Sequence, residues 1–209
     1  MPKILLSTAY LPNIQYFRAI TNNSEVEIEQ WESFAKQTYR NRCEILAESG
    51  RMSLTIPVCK ACSKQYTKDI QISYSENWQA KHWHAIVSAY NSAPFFMYFR
   101  DDIEPFFHEK TKFLLDFNIK IYDTIANIIG VDTKMTLSDD YRRIDHSLED
   151  CCDLRDIINP KVTQNPNQYF YSVNPYPQVF DSKHSFIPNL SIIDALFNLG
   201  TETIDILKN

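Results

Sequence analysis

The sequence predicts an α/β fold with a mixed sheet. Three observations carry that prediction: short apolar or alternating runs open the chain, a hairpin pattern follows, and wide helical stripes fill the middle. Residues 3–9 (KILLSTA) form an apolar run stopped by Pro12 and read as a buried strand. Ile14, Phe17 and Ile20, three apart, predict a helix after it. Residues 26–31 (VEIEQW) alternate and read as a second strand. Residues 42–47 and 52–58 flank Ser49-Gly50, which predicts a hairpin with Leu54, Ile56 and Val58 on one face. Pro57 argues for an edge position there, because proline donates no ladder hydrogen bond. Residues 69–74 (DIQISY) alternate again and read as a further strand.

The middle of the chain turns helical. Trp83, Ile86, Val87 and Tyr90 follow the 0, 3, 4, 7 pattern of a core-facing helix. A second helical stretch starts at Pro94 and is ended or kinked by Pro105. Residues 113–130 make the clearest helix, with two adjacent apolar stripes and Gly130 at a natural C′ position. Residues 134–137 read as another strand, and residues 160–188, rich in turn residues and aromatics, as a long ordered loop. Ser191 with Asp194 three residues on matches a capping box for a last helix, which Gly200 closes. The expected architecture is a single domain over residues 1–209. It is Rossmann-like, with a mixed sheet, an antiparallel hairpin at one edge and helices packed on the sheet.

The 209 residues are 44% hydrophobic and 22% charged, which is globular usage. Only three glycines occur, leaving no glycine-rich phosphate loop. Net charge is −5 without a long basic run, which argues against broad nucleic-acid or anionic-membrane binding. No window approaches the ~18 apolar residues of a membrane span. Five cysteines and no secretory signal predict free thiols in the cytoplasm. Cys59-Lys60-Ala61-Cys62 with Cys151-Cys152 fits neither zinc spacing nor a redox motif, so no metal and no cofactor are expected.

Candidate functional residues fall in three places. Tyr10 and Asn13 follow the first strand, where open α/β sheets bind ligands; the plain alternative is that Tyr10 caps the core and Pro12 starts the helix. Arg40 and Arg42 would share a face if their segment is extended and could clamp an anion, with Tyr39 and Asn41 facing the other way; ion pairs with Glu44 or Glu48 are the alternative. His82 and His84 lie about 200° apart on a helix and cannot chelate one ion. His82, beside Lys81, is the candidate general base, since imidazole titrates near neutral pH.

Several stretches resemble the WbqC-like family. They are Ala9-Tyr10-Leu11-Pro12 with Tyr16-Phe17, then Gln37-Thr38-Tyr39-Arg40-Asn41-Arg42, then Leu54-Thr55-Ile56-Pro57-Val58. Lys81-His82-Trp83 with Ser88-Ala89-Tyr90, Ala93-Pro94-Phe95-Phe96, Leu115-Asp116-Phe117-Asn118 and Pro188-Asn189-Leu190-Ser191-Ile192-Ile193-Asp194 with Phe197-Asn198 complete the set. Thr8-Ala9 stand where many members have Gln-Pro. The resemblance implies a place in bacterial surface-polysaccharide (O-antigen-like) synthesis and transfer of an amino acid such as glycine onto a sugar. His82 would then be the base, and Tyr10, Asn13, Tyr39, Arg40, Asn41, Arg42 and Lys81 would bind an anionic small molecule or sugar nucleotide. A noncatalytic accessory that binds the same ligand or a partner enzyme of the pathway is the competing expectation. A nucleotidyl-transfer enzyme is a third, weakened because the segment from Tyr10 to Phe17 lacks the histidines and glycine of the usual loop.

Overall fold

The structure is a computed structural model and describes residues 3–59, 65–142, 151–160 and 174–208. Strand β1 (Lys3–Ser7) runs into helix α1 (Ile14–Thr21), which crosses over to strand β2 (Val26–Glu29). The hairpin β3 (Arg42–Ala47) and β4 (Gly50–Thr55) comes next, then helices α2 (Trp78–Tyr90), α3 (Phe96–Ile103) and α4 (Leu114–Ile129). Two short strands, β5 (Met135–Leu137) and β6 (Cys151–Asp153), precede α5 (Ile192–Leu199) and α6 (Thr203–Leu207).

Four strands form a parallel sheet in the order β5-β2-β1-β6. The alternation of residues 26–29 has a plain cause in the register. Val26 and Ile28 pair with Ile4 and Leu6 and enter the core, while Glu27 and Glu29 pair with Leu5 and Ser7 and face the opposite side. A parallel sheet is ordinarily apolar on both faces. Here the second face carries acids that are nonetheless buried, Glu29 completely.

The hairpin forms with Gly50 at φ 104°, a backbone region that suits glycine. It is a two-stranded sheet of its own rather than an edge of the parallel sheet. Pro57 lies beyond the end of β4, so its missing donor costs no ladder bond. Residues 69–74 depart from expectation. A 3-10 turn covers Thr67–Asp69, and beyond it only isolated bridges form, Gln71 to Phe113 and Ile72 to Val58. The reason is the partners: Ile72 donates to Lys112 and Ile70 accepts from Leu114 on one side, while Ser73 donates to Pro57 and Gln71 accepts from Cys59 on the other, so the segment lies between two irregular runs that form no regular ladder.

Helix α4 spans Leu114–Ile129 and ends at Gly130, φ 80°, as its pattern predicts. Phe117, Ile121 and Ile125 are fully buried within one hydrophobic cluster that draws on every helix and on both sheets. Helix α1 is buried all round from Ile14 to Ile20, with α5 and α6 against it. The expected capping box does not form. Ser191 Oγ donates to the Leu11 carbonyl, and Asp194, completely buried, accepts from Tyr90, Tyr176 and the Gln178 amide. Asp194 therefore ties α5 to α2 and to the segment before it, where burial is the leading cause that raises its carboxyl above the usual range. Of residues 160–188, 161–173 lie outside the described part of the chain.

Candidate functional site

The chain leaves β1 towards β2, extends that side with β5, and later returns to place β6 on the other side of β1. The crevice outside the carboxyl ends of β1 and β6 is thus a topological switch point, the usual ligand position in an open parallel sheet. A narrow cavity lies there, walled by Ser7, Thr8, Tyr39, Arg40 and Arg155, with room for about one water (about 10 Å³).

Charged side chains meet around it. Arg40 donates from Nε and Nη2 to both Glu32 oxygens at 2.8 and 2.6 Å, from Nη2 to Ser7 Oγ at 2.8 Å, and from Nη1 to Thr38 Oγ1 at 3.1 Å. Ser7 Oγ in turn donates to Glu32 Oε2 at 3.2 Å. On the β6 side Arg155 donates from Nε to Asp153 at 3.0 Å and lies 3.5 Å from Glu29. Burial opposes the Arg155 charge most, but the Asp153 hydrogen bond and charge together with Glu32 and Tyr141 outweigh it, so its pKa is raised. Glu29 also accepts from Ser138 Oγ and from the Trp31 and Arg142 amides. The inner groups are Glu29, Glu32 and Asp153 against Arg40 and Arg155, all at or near strand ends.

Helix α4 sets the position of Arg40. Asn118 Nδ2 donates to the Arg40 carbonyl at 2.8 Å and to Thr8 Oγ1 at 3.1 Å, which holds the loop after β1 against the turn at residues 39–41. Because that segment is a turn and not extended, the two arginines part. Arg42 opens β3 and donates to Thr55 Oγ1 at 3.3 Å, away from the partners of Arg40.

The other candidates are placed as follows. The Tyr10 amide donates to the Tyr39 carbonyl at 2.8 Å, and Tyr10 itself is fully buried. Its hydroxyl lies 2.9 Å from His82 Nδ1, and the His82 ring also packs on Trp78. Which of the two donates follows from the tautomer of the imidazole. Burial pushes the His82 pKa down to about 4, leaving it neutral near pH 7. Asn13 caps α1 by accepting from the Tyr16 amide. Asn41 donates to the Ile56 carbonyl, and the exposed Lys81 pairs with Glu76. The structure thus brings Tyr39 and Arg40 to the crevice and Tyr10 to His82, with Arg42 and Lys81 engaged elsewhere.

Ser7, Glu29, Glu32, Asp153 and Arg155 are absent from the set expected from sequence. The available signal was Glu27 and Glu29 alternating with Val26 and Ile28, since acids on a strand of an open sheet need a polar partner. Among the described residues no group of three His, Cys, Asp or Glu side chains is arranged to hold a metal. Cys43, Cys59 and Cys152 are free thiols, and Cys62 lies outside the described residues. No helix among the described residues is long and apolar enough to cross a membrane.

Comparison with known proteins agrees with this layout in extent. The profile of the WbqC-like protein family matches residues 8–168 and 162–206, nearly the whole chain. An uncharacterized Mycobacterium tuberculosis protein, Rv1507c, is 25% identical over 223 residues, covering 98% of this chain and 96% of its own. No solved structure matches.

Proposed function

Since the chain belongs to the WbqC-like protein family, we propose that it is a transferase of bacterial surface-polysaccharide synthesis. In this reading it moves an amino acid such as glycine onto a sugar and takes a phosphorylated donor at the crevice beyond β1 and β6. The observation that carries the reading is the pair Arg40 and Arg155, both buried at the switch point with carboxylates around them. Guanidinium groups suit phosphate oxygens, and in a chain with three glycines they replace a phosphate loop. In the transfer, the sugar amine attacks the activated carbonyl carbon and the new C–N bond forms. The bond to the phosphorylated leaving group breaks, and one amine proton passes to a base. Arg40 and Arg155 would stabilise the leaving group's charge. The crevice holds about one water as it stands, so the donor binds only when its walls open.

The second reading is a noncatalytic accessory that binds the same anion or a partner enzyme. The observation favouring it is that both arginines are already matched by carboxylates and that His82, at a pKa of about 4, is a weak base. One experiment separates the two. Purified protein is titrated calorimetrically with adenosine monophosphate, the phosphorylated leaving group of the donor, then incubated with glucosamine and glycyl-adenylate and the product weighed by mass spectrometry. Binding should weaken about tenfold or more in Arg155→Met, as expected for lost charge-assisted hydrogen bonds, and a glycyl mass should appear on the sugar. Binding without transfer moves the accessory reading ahead; neither binding nor transfer sinks both. His82→Gln decides its role: lost transfer with intact binding assigns it the base, and unchanged transfer leaves it as the support of Tyr10.

A further inference from the structure

Two polar atoms on α4 are buried without a hydrogen-bond partner, the Tyr122 hydroxyl and Asn118 Oδ1. They are one turn apart and their side chains are 4% and 2% exposed. Groups so buried cost stability unless something hydrogen-bonds them. Both residues wall a small cavity, about 10 Å³, together with Thr8, Tyr16 and Met135. Through Tyr122, Ile28, Ile119 and Met135 this cavity adjoins an open cleft of about 560 Å³ between α4 and the edge strand β5. Through Thr8, Ala9 and Tyr16 it adjoins the crevice at Arg40. Three spaces therefore share walls, between an open edge of the sheet and the ionic network.

The cleft has the size of a small-molecule site and a definite electrostatic character. Asp123 and Asp132 stand on its wall against one basic residue, Lys134, and Asn127 and Thr133 add neutral polar groups. Burial raises the Asp123 carboxyl above the usual range, a shift that a bound cation would reverse. An anion is disfavoured here, in contrast to the Arg40–Arg155 crevice.

We propose that the cleft between α4 and β5 binds a small polyhydroxylated amine of monosaccharide size. Its ammonium sits at Asp123 and Asp132, and a hydroxyl reaches inward to Tyr122 and Asn118. The site is independent of the transferase reading, because the carboxylates that hold its ammonium line the outer cleft and not the crevice at Arg40. Its test reads binding alone, whereas that reading is tested by Arg155 and by product, so the two fail separately.

The test is a titration of the 15N-labelled full chain with glucosamine, N-acetylglucosamine and glucose, followed by NMR. Glucosamine should give saturable shifts in the amides of residues 123–137. N-acetylglucosamine and glucose, lacking the charge, should bind about tenfold more weakly. The double variant Asp123→Asn/Asp132→Asn, both at the surface, should lose the response with its spectrum otherwise preserved, and Tyr122→Phe should weaken it several-fold. No saturable shift, equal affinity for the uncharged sugars, or a response intact in the double variant would each overturn the site.

Discussion

His82 shows how burial redirects a residue type that invites a catalytic reading. An imidazole near neutral pKa is a good acid–base group, but this one is enclosed by Tyr10, Trp78 and the Thr55 backbone and titrates at about 4. The consequence for stability has a definite sign. Between pH 6.5 and 4 the unfolded chain binds a proton at His82 that the native chain does not, so stability is full above pH 6.5 and falls as the pH drops through that window. The loss should reach about 2 kcal/mol by pH 5. Urea unfolding at pH 7.5 and pH 5 should show it, and His82→Gln should remove that share; an unchanged pH dependence in the variant would contradict the assigned environment. Arg40 and Glu32 make the matching argument for charge. Removing one member strands the other in the interior, so Arg40→Met should cost about 3–5 kcal/mol. Arg40→Met with Glu32→Leu should recover most of that, and a double variant no more stable than the single would show that the pair is not the determinant.

At the level of elements, α4 does two things at once. Its Phe117, Ile121 and Ile125 fill the core, and its Asn118, the residue after Phe117, holds the loop after β1 and the turn at Arg40. Ile121→Ala should cost about 2–5 kcal/mol, the range for a buried large-to-small change that leaves a cavity; a chemical-denaturation loss below half a kcal/mol would refute the packing. The end of the same helix is a backbone matter. Gly130 has φ 80° with open space around a would-be Cβ. Gly130→Ala should therefore cost about 1–2 kcal/mol from the left-handed conformation alone, and Gly130→Asn should cost less.

Across the whole molecule, the sheet joins distant parts of the chain. Strand β6 pairs with β1 across almost the entire intervening sequence, and α5, buried from Ile192 to Asn198, packs on α1, α3 and β3. One hydrophobic cluster embraces these elements. Unfolding should then be a single transition with coincident fluorescence and circular dichroism, as expected for a domain built on one core. A chain cut before α5 should lose cooperative unfolding altogether; two separable transitions in the intact chain would argue for two units.

What the sequence determined by itself is what depends on near neighbours. The stripes of residues 113–130 specify α4, Gly130 specifies its end, and Ser49-Gly50 between apolar arms specifies the hairpin, because periodicity and turn chemistry act over a few residues. The family was legible too, since its motifs run in order through the chain. Tertiary structure decided the rest. Asp194 has the spacing of a helix cap but accepts from Tyr90, Tyr176 and Gln178 instead. Arg40 and Arg42, two apart, separate because residues 39–41 turn, and residues 69–74 alternate like a strand but meet no strand. Glu29, Glu32, Asp153 and Arg155 carry no local motif. They become neighbours only because a parallel sheet gathers the carboxyl ends of its strands at one edge, and which strands lie side by side is set by long-range pairing that no short window of sequence contains.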